Sequence, residues 1–502
     1  MKRRKFLETV PTAGLGVCLL SSTACNLFLK EGINRTKQIN LKIVSSNLIE
    51  IPQGKRVAFG WSAAGIKPND FIILKPEINL PEINLPEANL FLRISTAQET
   101  WDNKLVHVKI AGKNVSLGTI DIRSSAVLVP YELEIDKKHV QSINKYGLEL
   151  FLEASEPLWI FDKQSINSDN RSLLPHLLAS SEKYGSIEAF KERFMSVNSI
   201  QSFGWREGTV LDGLWQLYSQ KGEQRALEVI KEHFDLFFDE NKNLIYENAH
   251  SIQKDNQIDG IESTIPFATL ARLDPTHPIL KTVVMAWDSY SKKNGMITGG
   301  MTLTAEGCYT VAYPMAVIGR LWKRKDLMQN ALAQLRHRFV LVEDGNFYLR
   351  YNEGEKTFRN WARGAAWFLL GFVRTISELK EEIQDEKIIK KFKEGVDVVI
   401  TMQQENGLWN CFMDQDVAPD TSGSAGISAA IMAAVKNGIL DQSYRVAAEK
   451  CWKSLYDYIT PDGFLKGVAQ DNRGGVELQQ SDYRVIAQMG MGMMAQLYAY
   501  RE

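Results

Sequence analysis

A short motif recurs through the second half of the chain, and its spacing restricts the possible folds more than any other feature. In each copy a turn residue, usually glycine, is followed by two apolar or aromatic residues. One copy, at 345–347, has a polar residue within the pair. The copies lie at 243–245, 295–297, 345–347, 407–409 and 463–465. They are about 50 to 60 residues apart, the length of two helices with their connections. The spacing predicts a repeated helical hairpin.

Helical periodicity fills the intervals between the motif copies. Apolar residues recur at three-to-four spacing in the segments 210–218, 226–238, 264–273, 309–321, 366–379, 426–435 and 485–498. Five visible units, with another at the weakly patterned N-terminal edge, predict a closed ring of six hairpins, an (α/α)6 toroid, over residues 195–502. An open solenoid is the alternative. The dissimilar repeats and the glycine-rich loops between them favour the closed cup.

The preceding part of the chain has the period of β-strands. Residues 91–94, 106–110, 119–122 and 148–152 alternate apolar with polar side chains, with glycine or asparagine turns between several of them. This pattern predicts a small β-sandwich over residues 41–165. Within it, the tandem segment 76–90 reads PEINL, PEINL, PEANL, and its prolines favour an extended edge or a loop. Such a domain either binds sugar or packs against its neighbour, and we expect packing.

The first 25 residues have the organisation of an export signal. Residues 2–5 are all cationic, an apolar stretch follows at 10–20, and small residues precede Cys25. The arginine pair at 3–4 resembles a twin-arginine signal, and residues 22–25 resemble a lipoprotein cleavage box. We expect a mature chain that begins at Cys25, carries a lipid anchor and resides in the bacterial cell envelope. A plain signal peptide or a short N-terminal anchor is the alternative.

Charge and cysteine usage exclude several classes of partner. The chain has 59 basic and 60 acidic residues, so no field of one sign attracts nucleic acid. Outside the leader, Cys308, Cys411 and Cys451 are far apart, without a CxxC pair or a histidine cluster. We therefore predict neither a structural metal nor a disulfide framework. No pattern requires an organic cofactor, and the oligomeric state stays open.

Polar and aromatic residues concentrate where helices of the repeat begin. In a ring of hairpins the loops at one end face a common cleft, so these residues form one candidate site. The segments are 205–208, 259–262, 306–309, 360–367, 407–409 with Asp414, and 420–424.

The order of these segments resembles glycoside hydrolase families 88 and 105, the unsaturated glucuronyl and unsaturated rhamnogalacturonyl hydrolases. Residues 361–367 resemble the W-x-R-G-x-x-W segment of these families, with support from 403–409, 420–424 and 482–483. The likeness extends over roughly residues 200–500 and leaves the β-domain outside. It implies a glycoside hydrolase that releases a terminal unsaturated uronic acid from an oligosaccharide by acid-catalysed hydration of the C4–C5 double bond.

The resemblance also implies which carboxylates are catalytic. The families place a general acid, an aspartate, at the head of a helix reading D-x-x-x-M-x-x-P, and this chain has Glu306 upstream of Pro314. A second acidic residue falls near Asp259, with Glu262 one turn later on the same helix face. To donate a proton near neutral pH, Glu306 needs a pKa raised by burial or by a nearby carboxylate.

Arginine and tryptophan side chains are the candidates for substrate binding. The planar guanidinium of Arg363 matches a substrate carboxylate bidentately, with Arg359 or Arg350 in support. Sugar rings stack on tryptophan faces, and the candidates are Trp205, Trp361, Trp367 and Trp409. A histidine that the families carry in the strand before the tryptophan motif is absent, and Leu349 and Arg350 occupy that region.

Each assignment has an alternative. A carboxylate at a helix start also serves as a cap, an arginine also braces helices, and a tryptophan also fills a core. At the level of function, one alternative is an inverting hydrolase of saturated β-glucuronides, which needs two carboxyls ~6.5 to 9.5 Å apart. The other is a non-catalytic surface lipoprotein that binds glycans.

Overall fold

The computed structural model describes residues 36–44, 49–78, 80, 89–162, 172–383 and 385–501. The predicted export signal, including Cys25, lies outside the described residues, as does most of the tandem segment 76–90. Among the described helices, none combines the length and the apolar character that a membrane span requires.

The N-terminal part is a sheet-rich domain, and all of its strand pairings are antiparallel. Eight strands form one path in the order β6-β5-β8-β3-β1-β10-β4-β7, and β2 pairs separately with β9. The elements are β1 Thr36–Ile43, β2 Ala63–Ile66, β3 Phe71–Pro76, β4 Asn89–Ser95, β5 Lys104–Ile110, β6 Ser116–Ile122, β7 Pro130–Ile135, helix α1 Val140–Tyr146, β8 Leu148–Glu153, β9 Leu158–Phe161 and β10 His176–Ser180. The four predicted strand segments fall within β4, β5, β6 and β8.

Strand β1 joins two groups of strands. Its first half, residues 36–40, pairs with β10, and its second half, residues 41–43, pairs with β3. In β5 the buried and half-buried side chains alternate along the whole strand, as expected for one face on a core and one towards solvent. Because β1 starts at Thr36 and β10 ends at Ser180, the sheet extends beyond both limits expected for this domain, residues 41 and 165.

The rest of the chain is mainly helical. Its helices are α2 Ile187–Phe194, α3 Trp205–Lys221, α4 Gln224–Phe237, α5 Pro266–Leu273, α6 Ile279–Tyr290, α7 Tyr313–Leu321, α8 Lys325–His337, α9 Ala362–Leu379, α10 Glu386–Thr401, α11 Thr421–Lys436, α12 Arg445–Leu455, α13 Gly475–Gln480 and α14 Gln488–Tyr500. Short strands β11 Leu303–Thr304, β12 Val342–Glu343, β13 Asn346–Asn352, β14 Glu355–Arg359, β15 Val468–Ala469 and β16 Arg484–Val485 lie in the connections.

Six of these helices pack in cyclic order. The sequence of contacts is α3, α5, α7, α9, α11 and α14, and α14 in turn packs against α3. Each of the six also contacts a second helix, namely α4, α6, α8, α10, α12 and α2, respectively. The chain thus supplies six helix pairs, one member of each belonging to the inner cycle.

Burial separates the inner from the outer helices. In the inner helix α11 every residue from Thr421 to Val435 is buried, and the segment is rich in alanine, serine and glycine, which allow close helix contacts. The outer helix α10 buries only the stripe Ile388, Phe392, Gly395, Val396 and Val399. A single apolar stripe is typical of a helix with one face on a core and the other in water.

The recurring motif forms the turns that follow the outer helices. The glycines at 295, 345, 407 and 463 have φ between 70° and 92°, a left-handed conformation that glycine adopts without steric cost. Residues after the turn then pair back across it, as in the bridges Ser291 with Ile297 and Ile459 with Leu465. The motif therefore marks the return from each outer helix towards the next inner one.

A buried ion pair connects the two parts of the chain. Arg93 of β4 donates to Asp462 over 3.0 Å and to Glu132 of β7 over 2.6 Å. Arg193 of α2 lies 3.4 Å from the same Asp462 oxygen. Because Arg93 is completely buried, this contact ties the sheet domain to the turn before the last helices.

Candidate active site

A cavity of about 430 Å³ opens where three inner helices begin. Trp205 and Arg206 start α3, Glu306 precedes α7, and Arg363 lies in the first turn of α9. Glu262, from the short turn before α5, also lines the cavity. Four of the six segments singled out in the sequence thus contribute to one cleft.

Local pairing positions Glu306 beside Arg350. Thr304 of β11 is opposite Arg350 of β13 in the antiparallel ladder, and the Ala305 amide donates to the Leu349 carbonyl over 2.9 Å. Glu306 follows directly, before one π-helical turn, Cys308–Ala312, that leads into α7. π-Helical turns inside helices are frequent at functional sites.

Arg338 fixes the backbone that carries Glu306. Its guanidinium donates to the carbonyls of Thr304 over 2.8 Å, Ile297 over 3.0 Å and Gln334 over 2.9 Å. Gly307 lies against this guanidinium so closely that a Cβ at this position would overlap it. The residue next to Glu306 must therefore be glycine as long as Arg338 stays in place.

Burial and like charge act together on Glu306. Burial, followed by the negative charge of Glu262, raises the pKa of Glu306 to about 8, although Arg350 opposes the shift. The pKa of Glu262 is also raised, by burial and then by Asp471, with Arg206 and Arg350 opposing. The Glu262 side chain lines the cavity and is accessible to its solvent. Two adjacent carboxyls of this kind favour a state that shares one proton.

Asp471 is ionised in the same cavity. Burial alone would raise its pKa, but the charges of Arg206 and Arg473 outweigh burial and lower the pKa below its ordinary value. Arg206 donates a hydrogen bond to Asp471. The negative charge of Asp471 raises the pKa of both Glu262 and Glu306. It therefore favours a state in which one of these two glutamates carries a proton.

Four arginines surround these carboxyls, and Arg350 has the fewest partners among them. Arg206 pairs with Asp471, and Arg473 lies near Glu99 and Asp471. Arg363 donates to the carbonyls of Ala469 and Gln470, each over 2.6 Å.

The contacts of Arg350 within the described residues are one hydrogen bond, to Asn472 Oδ1 over 3.1 Å, and the ring of Phe358, 4.9 Å away. With no carboxylate partner, Arg350 is available to an anionic ligand. Arg363, by contrast, is committed through its terminal nitrogens to backbone carbonyls.

Three of the four predicted tryptophans line the cavity. Trp205 and Trp367 meet edge to face with ring centroids 5.5 Å apart, and Arg206 lies 4.3 Å above the Trp205 ring. Trp361 and Trp367 expose only 2% of their surface, and the Trp361 indole donates to Gln479 over 3.2 Å. Trp205 is the more accessible of the three and offers the larger contact surface to a ligand.

The structure corrects three residue assignments. Trp409 is fully buried and donates to the Val399 carbonyl over 2.7 Å, so it fills the core and offers no face to a sugar. Arg359 is exposed and pairs with Asp414 over 2.8 Å outside the cavity. Asp259 accepts from Asn248 over 2.7 Å and lies 3.5 Å from Lys254. It influences Glu262 only as a nearby charge.

Other cavity residues were not assigned from the sequence. Arg206 lies inside the segment 205–208, and its position in the sequence does not indicate that it faces the cavity. Residues 471–473 are a polar segment before two glycines, a sequence pattern that indicates a loop between helical segments. His250 and Trp101 also line the cavity, and Trp101 belongs to the sheet domain, outside the family likeness.

Beneath the cavity, Asp212 is at the centre of a buried hydrogen-bond network. It accepts hydrogen bonds from Tyr313 over 3.0 Å and from Tyr309, and Arg374 lies 3.2 Å away. Tyr309 in turn stacks on Trp367 with centroids 5.8 Å apart. This buried network supports the floor of the site and does not reach a ligand.

Comparison with known proteins identifies the helical part. Residues 185–501 match the profile of Glycosyl Hydrolase Family 88. No curated protein matches the sequence significantly.

Several solved structures share the fold. A possible member of GH105 from Salmonella enterica has 17% identity and a TM-score of 0.52, with 64% of this chain and 84% of that chain covered. A family 105 glycoside hydrolase of C. acetobutylicum has 18% identity and a TM-score of 0.53, over 64% and 99% of the two chains. A family 88 glycosyl hydrolase from Bacteroides vulgatus has 20% identity and a TM-score of 0.50, over 63% and 96%.

Proposed function

The chain belongs to glycosyl hydrolase family 88, so it is a glycoside hydrolase that acts on an oligosaccharide, and we propose that it releases a terminal 4,5-unsaturated uronic acid. One observation carries the proposal. Glu306, a half-buried glutamic acid whose pKa is raised to about 8 by desolvation and like charge, lies beside Arg350, a cation that pairs with no carboxylate among the described residues. The first group supplies a proton at neutral pH, and the second binds a carboxylate.

The charge of the cavity favours an anionic sugar. Arg206, Arg350, Arg363 and Arg473 face Glu262, Glu306 and Asp471. When Glu306 carries a proton, four positive charges stand against two negative ones. The excess of positive charge in this cavity stabilises the carboxylate of a uronic acid.

Glu306 acts as the general acid in the proposed reaction. Its proton is transferred to C4 of the substrate, and the π electrons of the C4–C5 bond form the new C–H bond. Positive charge then develops at C5 and is shared with the ring oxygen. Water adds at C5 and loses a proton to Glu262, the member of the pair without one. The resulting hemiketal opens and releases the neighbouring sugar.

Arg350 orients the substrate for this step. The carboxylate is attached to C5, so a cation beside Glu306 holds C4 and C5 close to the acid. The strand pairing that places Arg350 opposite Thr304 fixes this geometry before any substrate binds. A preorganised site of this kind spends no free energy on reorganisation during the reaction.

The helical part is proposed to be a closed six-hairpin (α/α)6 toroid, and the sheet domain a β-sandwich. The cyclic contacts of six inner helices support the former, and the two groups of strands joined by β1 support the latter. An envelope location with a lipid on Cys25, reached by the twin-arginine route, is proposed from residues 1–25 alone.

The test uses lyase digests of polysaccharides as substrates. The full chain is incubated with size-fractionated products of chondroitin lyase and of rhamnogalacturonan lyase, and the ultraviolet absorbance of the enol-ether uronate is followed. We expect the absorbance to fall with at least one digest. Replacing the acid, Glu306→Gln, should lower kcat by about 10² to 10⁴-fold.

A matched control uses the exposed Glu240. Glu240→Gln should retain full activity, because this side chain lies on the surface away from the cavity. Hydrolysis of a saturated aryl β-glucuronide, with no loss of absorbance from any unsaturated digest, would reject the proposal and favour the inverting hydrolase.

A further inference from the structure

One side chain of the sheet domain, Trp101, lines the catalytic cavity. It lies on the connection between β4 and β5, and 51% of its surface is exposed. Glu306 lines the same cavity and is half-buried. An indole in this position is at the mouth, where it keeps a large apolar surface in contact with water. An exposed indole inside a cavity offers a large apolar face to a ligand.

Two side chains of the helical domain hold the Trp101 ring. His250 is nearly parallel to it, with centroids 5.1 Å apart and an angle of 13° between the planes. The Arg473 guanidinium lies 4.2 Å from the ring centroid, a cation–π distance. His250 and Arg473 belong to the helical domain and line the same cavity. Trp101 is therefore part of the site.

Glu99 anchors the same connection. Its side chain, 2% exposed, lies 3.2 Å from Lys55, 3.1 Å from His250 and 3.6 Å from Arg473. The residues that contact the Trp101 ring are therefore themselves fixed by a carboxylate two residues before it. These three partners offset the cost of burying the Glu99 carboxylate.

Backbone hydrogen bonds complete the anchoring. The Glu99 amide donates to Ser251 Oγ over 3.1 Å, which links the connection to the helical domain. The Thr100 amide donates to the Ser125 carbonyl over 2.9 Å, and the Ser125 amide donates to Thr100 Oγ1 over 3.2 Å. The indole thus sits on a connection whose backbone is paired on both sides, as required of a preorganised contact.

We propose that Trp101 contacts the sugar units beyond the scissile bond, so that the sheet domain supplies part of the substrate site. This inference rests on the proposed function, which puts the terminal uronic acid between Glu306 and Arg350. The rest of the oligosaccharide must then leave through the mouth of the cavity. The C–H surfaces of sugar rings pack on aromatic rings. Since the family match begins at residue 185, this contact is an addition to the catalytic domain.

The test compares substrates of two lengths. Unsaturated disaccharides and tetrasaccharides from the same lyase digest are assayed with the wild type and with Trp101→Ala. We expect kcat/KM for the tetrasaccharide to fall about tenfold, the factor that corresponds to ~1.4 kcal/mol. For the disaccharide, we expect a change of about twofold or less, because a short substrate leaves little sugar at the mouth.

Two control variants separate the contact from folding. Trp101→Phe keeps an aromatic surface and should recover most of the tetrasaccharide activity. Phe71→Ala removes an exposed aromatic side chain of the same domain, 41% exposed and outside the cavity, and should change neither substrate. An equal loss for both lengths, or no loss for either, overturns the inference.

Binding measurements keep this inference separate from the proposed function. Calorimetric titration of Glu306→Gln with the same saccharides, with and without Trp101→Ala, does not depend on turnover. Tighter binding of the tetrasaccharide than of the disaccharide, lost in the double variant, supports the role of Trp101 even if the wild type hydrates neither. Equal affinities in the two variants, or no binding of the tetrasaccharide, overturn it.

Discussion

The side-chain amide of Asn472 donates a hydrogen bond to Glu306 Oε1 over 3.4 Å. Its oxygen accepts from Arg350 over 3.1 Å, so one asparagine links the candidate acid to the candidate carboxylate-binding cation. The preceding residue, Asp471, pairs with Arg206. A single loop between β15 and α13 therefore organises both the proton donor and the charges around it.

The first prediction concerns the pH dependence of activity. Glu306 must be protonated to donate, so kcat/KM should fall about tenfold per pH unit above a pKa of about 8. Because Glu262 is also the proposed base, Glu262→Gln should lower kcat. The substitution also removes a like charge and should lower the pKa of Glu306, which moves the decline of the residual activity about one pH unit or more towards acid. A pH profile of kcat/KM for both proteins measures the shift. An unchanged alkaline limb in Glu262→Gln would contradict the assignment.

The second prediction distinguishes Arg350 from Arg359, for which the sequence predicts the same supporting role in substrate binding. Arg350→Gln should raise KM for a uronate substrate about 10- to 100-fold, because it removes a charge-assisted hydrogen bond to the carboxylate. It should also raise the pKa of Glu306, since Arg350 opposes that shift. Arg359→Gln is the matched control, because Arg359 pairs with Asp414 outside the cavity. Steady-state kinetics that found the two variants equally impaired would exclude Arg350 as the carboxylate-binding residue.

The third prediction concerns Trp409 as a core residue. Trp409→Ala should lower the free energy of unfolding by about 3 to 5 kcal/mol, the usual cost of removing a large buried aromatic side chain. Urea denaturation followed by circular dichroism measures this loss, and Phe71→Ala, at an exposed position of the sheet domain, should leave the midpoint nearly unchanged. A stable Trp409→Ala protein with impaired sugar binding would restore the ligand-stacking interpretation.

The fourth prediction concerns the ion pair between the two parts of the chain. Burial opposes ionisation of Asp462, but Arg93 and Arg193 outweigh it and lower its pKa to about 2. A lowered pKa stabilises the folded state above the ordinary value of 3.8, and this stabilisation is lost as the pH falls towards 2.

Asp462→Asn tests this relationship. The substitution should cost about 3 kcal/mol at neutral pH, because Arg93 remains buried with one partner fewer, and it should flatten the acid dependence of the melting temperature between pH 4 and 2. Asp416→Asn, at an exposed position, should preserve the steep wild-type dependence. If both variants melt alike at every pH, the pair does not stabilise the fold.

Much of the fold could be predicted, because its signals are periodic. The motif turns appear as glycines with left-handed φ, and the strand segments lie where the alternation indicated. The same repeat also contained the information that Trp409 belongs to the core. The third position of the motif is buried in four copies, at Ile297, Phe347, Trp409 and Leu465, so the equivalent tryptophan fills the core as well.

The candidate site could be predicted only in part. Glu306, Glu262, Arg350, Arg363 and the tryptophans 205, 361 and 367 do line one cavity, because all belong to helix starts or to strands next to them. The sequence could not predict whether Arg350 or Arg363 is available to bind a substrate carboxylate. This depends on which guanidinium meets the carbonyls of Ala469 and Gln470, residues more than a hundred positions away.

The sequence by itself determined the repeated helical hairpin, the separate sheet domain and the family of the helical part, because periodicity and ordered motifs are local along the chain. Only the tertiary structure decided that Glu262 raises the pKa of Glu306, that Arg350 pairs with no carboxylate in the described part of the chain, and that Trp101 reaches the cavity. Each of these depends on burial and on distances between residues far apart in sequence, and neither quantity is encoded in any one segment.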